Sequence, residues 1–67
     1  MLPNLIGQAK VHGLRNEDMA SIIGVTRKTY ETKLKNASFT IPEVNRYMDY
    51  FGKDYSYLFY IEPRKEN

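Results

Sequence analysis

The sequence predicts an all-α protein, one domain built from five short helices. Three observations carry that expectation. Apolar residues recur at three- and four-residue spacing in short runs along the chain. Capping residues open most of these runs, and glycine or a turn closes them. Finally, 67 residues without a cysteine must be held together by packed apolar side chains alone. At that size a core suffices only if the fold is helical and tightly connected, or if burial is extended by pairing with a second copy.

Taken in order, Leu2, Leu5, Ile6 and Ala9 share a face, and Pro3 is tolerated in a first turn, so helix 1 is placed at residues 2–11 and ended by Gly13. Gly7, inside that helix, reads as a point of close helix contact. Asn16 caps helix 2, Glu17 and Asp18 complement the dipole of its first turn, and Met19, Ala20, Ile22 and Ile23 form its buried side. Gly24 is its left-handed stop. Only Val25 separates that stop from Thr26, the cap of helix 3 at residues 27–35, so two short helices meet across a tight corner. Residues 36–39 form a loop. Thr40 and Glu43 make a capping box for helix 4, whose stripe is Val44, Tyr47, Met48 and Phe51 and whose stop is Gly52. Asp54 caps a short fifth helix containing Tyr57, Leu58 and Phe59. The domain is placed at residues 1–61, and residues 62–67 read as a charged, flexible tail.

No apolar run reaches membrane-spanning length and no signal-peptide pattern opens the chain, so the sequence predicts a cytoplasmic protein. His12 has no cysteine or second histidine as a metal partner, Ser21 and Ser38 lack a base, and the carboxylates are scattered singly. No glycine-rich phosphate cradle is present. A non-enzyme without metal or cofactor is expected.

The formal net charge is only +2, but it is concentrated. Between Thr26 and Ser38 stand four cations, Arg27, Lys28, Lys33 and Lys35, against the single anion Glu31, and the rest of the chain is nearly balanced. On helix 3, Tyr30 and Leu34 lie one turn apart and face inward, leaving Lys28, Glu31, Thr32 and Lys35 outward. A charged outward face is by default a solvated one. The tight corner gives it a mechanical purpose, because helix 2 then braces helix 3 against a DNA duplex. Arg27 and Lys28 occupy the helix start that enters a groove first and favour guanine acceptors, while Thr32 follows one turn later.

The run GLRNEDMASIIGVTRKTYETKLKN, residues 13–36, resembles the helix-turn-helix of the Cro and repressor family of phage regulators, also called xenobiotic-response-element regulators. The matching positions are Leu14, Glu17, Ala20, Ile23, Gly24, Val25, Thr26, Arg27 and Tyr30. Residues 39–59, with Tyr57, Leu58 and Phe59 at their end, resemble the family's last two helices. The resemblance implies a five-helix lambda-repressor-like domain with the helix-turn-helix in helices 2 and 3. It implies base contacts by Arg27, Lys28 and Thr32 and a phosphate contact by Asn16. An arginine and a glutamate that many members pair between helices 1 and 3 are replaced here by Ala9 and Leu34, a joint loss that strands no charge. Lys33 stands where an apolar residue is common, its stem expected along the core edge. Asn36 takes the place of the glycine usual after helix 3.

The function expected is sequence-specific binding of double-stranded operator DNA, as a Cro-sized phage or prophage repressor dimer on a palindrome. Arg15, Asn16, Lys33, Lys35, Asn36 and Ser38 are the candidate phosphate contacts. Aromatic residues crowd the last third of the chain, as core filler or as a subunit interface, and Tyr57, Leu58, Phe59, Tyr60 and Ile61 are the candidate dimer contacts. The alternative is an antitoxin or antirepressor that holds a protein partner through the same fold. Glu31, on the DNA-facing side, is expected to accept from a cytosine or to pair with Lys35.

Overall fold

A computed structural model describes residues 2–61 and contains five helices and, among those residues, no strand: α1 Pro3–Val11, α2 Asn16–Ile23, α3 Arg27–Asn36, α4 Ile41–Phe51 and α5 Tyr55–Leu58. The expected tail at 62–67 lies outside the described residues. No helix among the described residues is long and apolar enough to cross a membrane.

The first three helices end on one hydrogen-bond pattern. The Gly13 N–H donates to the Lys10 carbonyl and the Leu14 N–H to that of Ala9; Gly24 and Val25 repeat this on Ser21 and Ala20, and Ala37 and Ser38 repeat it on Leu34 and Lys33. Each is a Schellman stop, which needs one left-handed residue. Glycine supplies it at Gly13 (φ +68°) and Gly24 (φ +74°), but Ala37 supplies it after α3 at φ +52°. The left-handed role expected of Asn36 therefore falls one residue later, because Asn36 completes the last turn of α3.

The helix starts follow the sequence at Thr26, Thr40 and Asp54, whose side-chain oxygens accept the N–H of Thr29, Glu43 and Tyr57. Helix 2 differs. Arg15 is the N-cap residue, its N–H donating at 2.9 Å to the Asp18 carboxylate, and Asn16 is already the first helical residue. An anion in the first turn thus satisfies a donor that no capping side chain serves.

Leu2, Leu5, Met19, Tyr30, Tyr47 and Leu58 are the largest fully buried side chains, so all five helices or their flanks feed one core. Each buried apolar side chain contributes about 1.5–3 kcal/mol of transfer free energy. Phe39 joins α3 to α4 and α5 through ring contacts with Tyr30, Tyr47 and Phe59, at centroid distances of 6.1, 5.6 and 5.7 Å. The Tyr47 hydroxyl donates to the Met19 carbonyl at 2.8 Å and ties α4 to α2. Burial pushes the Tyr30 phenol up to about 12, with the Glu31 charge acting in the same direction. Burial likewise drives the Tyr47 phenol far above its ordinary value, aided by Tyr30 and Glu43.

Two expectations change here. Leu58, expected at a dimer interface, is 0% exposed and belongs to the monomer core, because it is the residue by which the single turn of α5 anchors against α1. Gly7 marks no close helix contact, since a Cβ built there meets nothing within 4 Å. Ala9 is buried in the core and Leu34 packs against it.

Candidate nucleic-acid interface

Tyr30, buried at 1% exposure, fixes α3 on its inner side, and Leu34 follows one turn later against the core. The remaining geometry of the helix is then set. Arg27 and Glu31 form one outward row and Lys28, Thr32, Lys35 and Asn36 form the next, all exposed. α3 packs closely on α2 across the Gly24 corner, and α2 in turn packs on α4. The exposed face of α3 therefore rests on a rigid support two helices deep.

The hydroxyl of Thr32 donates to the Lys28 carbonyl at 3.1 Å, so what it presents outward is its methyl group and its oxygen lone pairs. Lys28 and Thr32 line an open hollow of about 410 Å³ together with Thr29, Lys33 and Ser38. The Lys28 ammonium and the Thr29 and Ser38 hydroxyls around one concavity suit an anionic oxygen. Thr29 was not foreseen in this role. Its hydroxyl accepts from that of Thr26 at 3.0 Å, and the only sequence signal is a second threonine three residues after the cap.

Lys33 is reassigned in part. Its ammonium lies 3.2 Å from Glu43 Oε1, with both side chains largely covered at 20% and 13% exposure. Rather than reaching outward, it braces α3 against the first turn of α4. Burial acts to raise the Glu43 pKa, but the Thr40 N–H, the Lys33 ammonium and the Thr40 hydroxyl outweigh it and bring the carboxyl below its ordinary value. The sequence supplies the lysine and the capping-box anion, and the fold of the loop between them brings the two together.

Glu31 also differs from expectation. Its Oε2 accepts from Asn16 Nδ2 at 3.0 Å and stands 3.7 Å from Arg27 Nε, so its partners are Asn16 and Arg27 rather than Lys35. Arg15 stays on the α2 side, exposed, 3.9 Å from Glu17. Of the predicted site residues, Lys28, Thr32, Lys33 and Ser38 meet at the hollow, Asn16 and Arg27 meet at Glu31, and Lys35 and Asn36 extend the face along the last turn.

No family model, curated protein or solved structure matches the chain. What the site can do is thus argued from its chemistry. It is a cationic, hydroxyl-rich helix face, and among the described residues no group of histidine and carboxylate side chains is placed to hold a metal.

The predicted dimer residues divide. Tyr57, Tyr60 and Ile61 are 41%, 47% and 57% exposed, Phe59 is half-buried under Tyr55, and Leu58 is enclosed. Tyr57 is engaged locally as well, its carbonyl accepting from Asn4 Nδ2 at 2.9 Å.

Proposed function

We propose that this chain is a sequence-specific double-stranded DNA-binding regulator of the Cro and repressor type, with α2 and α3 as its helix-turn-helix in a lambda-repressor-like domain. The observation that carries the reading is α3 itself. It is a ten-residue helix held by Tyr30 on one side and presenting Arg27, Lys28, Thr32 and Lys35 on the other. Such a helix is about 15 Å long and fits the B-DNA major groove, which is about 12 Å wide. Arg27, Lys28 and Thr32 read bases. Asn16, Lys35, Asn36 and Ser38 hold phosphates, joined by Arg15 from the α2 side and by Thr29 at the rim of the hollow. Two copies bind a palindromic operator through half-sites roughly 34 Å apart, and Tyr57, Tyr60 and Ile61 are the exposed residues offered to the partner copy.

A titration of random duplex against salt tests the reading. DNA binding requires log affinity to fall linearly with log salt, with a slope of about −0.9 for each phosphate neutralised. Absence of duplex binding at low salt would refute it. The variant Lys28→Ala is expected to lose about 1–3 kcal/mol at one operator position and to relax base preference there. Equal weakening on every sequence makes Lys28 a phosphate contact instead.

A second reading, an antitoxin or antirepressor acting by protein binding, is favoured by the exposed aromatic surface of Tyr50, Tyr55, Tyr57 and Tyr60. It requires partner capture in the absence of DNA.

A further inference from the structure

Glu31 is the only anion on the outward face of α3, and an anion facing phosphates weakens binding unless it serves another end. Its position shows which end. One oxygen, Oε2, accepts from Asn16 Nδ2 at 3.0 Å and lies 3.7 Å from Arg27 Nε. Asn16 is the first residue of α2 and Arg27 the first of α3, so a single carboxylate joins the two helix starts aimed at the duplex. The Lys35 ammonium, one turn further on, forms no ion pair with it among the described residues.

We propose that Glu31 is a positioning and specificity-determining residue that dictates how Arg27 meets a base, an inference that rests on the DNA-binding reading above. With the carboxylate on the Nε side of the guanidinium, the two terminal amino groups are the donors left to meet a base. That end-on pair matches the O6 and N7 acceptors of guanine, which arginine engages bidentately. On any other base the carboxylate is left repelling nearby phosphates without that compensation. Glu31 thus lowers affinity for random sequence and sharpens the preference for guanine.

The test compares wild type with Glu31→Gln, Arg27→Ala and the double variant. The measurements are selection from a random duplex pool and titration of random duplex at several salt concentrations. Glu31 is 43% exposed, and an unchanged melting temperature establishes that Glu31→Gln is folded. Glu31→Gln is expected to weaken guanine preference at one operator position by on the order of three- to tenfold. It should also tighten random-duplex binding by on the order of threefold through loss of one like charge. In the Arg27→Ala background the same substitution should leave base preference unchanged. The inference is overturned if Glu31→Gln keeps the wild-type preference, or if it loses preference equally without Arg27, which would make Glu31 a direct base contact. Wild type that binds no duplex at low salt overturns the DNA reading itself, an outcome distinct from either.

Discussion

Replacing Ala37 by glycine should stabilise this protein although it removes a methyl group and adds no contact. Three helices end in the same Schellman pattern, and the left-handed residue is glycine at positions 13 and 24 but alanine at 37. An L-residue in that conformation costs roughly 1–2 kcal/mol through the clash of its Cβ with the following carbonyl. Glycine removes this cost but gives the unfolded chain more freedom, which offsets about 0.4–1 kcal/mol. Ala37 is exposed, so no core packing is lost. The net gain for Ala37→Gly is about 0.5–1 kcal/mol, equivalent to about 3–6 °C in melting temperature for a domain of this size. Urea unfolding followed by far-ultraviolet circular dichroism measures it directly. The converse variant Gly24→Ala should lose about 1 kcal/mol; a Cβ there would lie 3.7 Å from Arg46 Nη1, an ordinary contact, so the loss would report the backbone alone. An Ala37→Gly midpoint at or below that of wild type, with unchanged slope, would show that the strain argument is wrong.

Other substitutions separate the remaining forces. Gly7→Ala places its Cβ in open space in the middle of α1, so helix propensity alone acts and stability should rise by about 0.5–1 kcal/mol in the same unfolding assay. Tyr47→Phe removes the hydroxyl bonded to the Met19 carbonyl while keeping the ring, and should cost about 0.5–1.5 kcal/mol by thermal unfolding. Folding lowers the Glu43 pKa from its ordinary 4.5, so on acidification the unfolded chain takes up that proton first. The stability due to Glu43 is complete above that ordinary value and is lost as pH falls through the folded-state value. A pH series of Glu43→Gln should lack that part of the acid loss, and a series parallel to wild type would dismiss the Lys33–Glu43 brace as a source of stability.

Local chemistry was the most legible part of the chain. Thr26, Thr40 and Asp54 cap the helices that follow them, because a side-chain oxygen and an N–H three residues on are a matter of short-range geometry. Tyr30 faces inward for a similar reason, helical spacing. The partner of Glu31 was not legible. Arg27 and Lys35 lie four residues to either side and are equivalent by spacing, and the choice is made with Asn16, brought in by the packing of α2 on α3. Lys33 and Glu43 meet across a loop whose path no spacing rule supplies. Leu58 was misplaced on the surface because its aromatic neighbours suggested an interface, whereas a one-turn helix has room for a single anchor and the aliphatic residue takes it. The Arg15 cap is not legible by residue type because its own side chain caps nothing; its backbone N–H donates to the Asp18 carboxylate instead.

The closure of α1 by α5 has a consequence for synthesis of the chain. Leu2 and Leu5 are fully buried in a core that includes Leu58, and Asn4 donates to a carbonyl 53 positions later. At the usual pace of about 5–20 residues per second, the ribosome needs on the order of several seconds to travel from Leu2 to Leu58. For that interval the first helix carries leucines whose native cover is incomplete. The α2–α3 pair, whose contacts lie within a short stretch of chain, can form well before the N-terminal helix finds its place. The nascent protein can therefore shape its candidate reading helix before the cover of its first helix is complete.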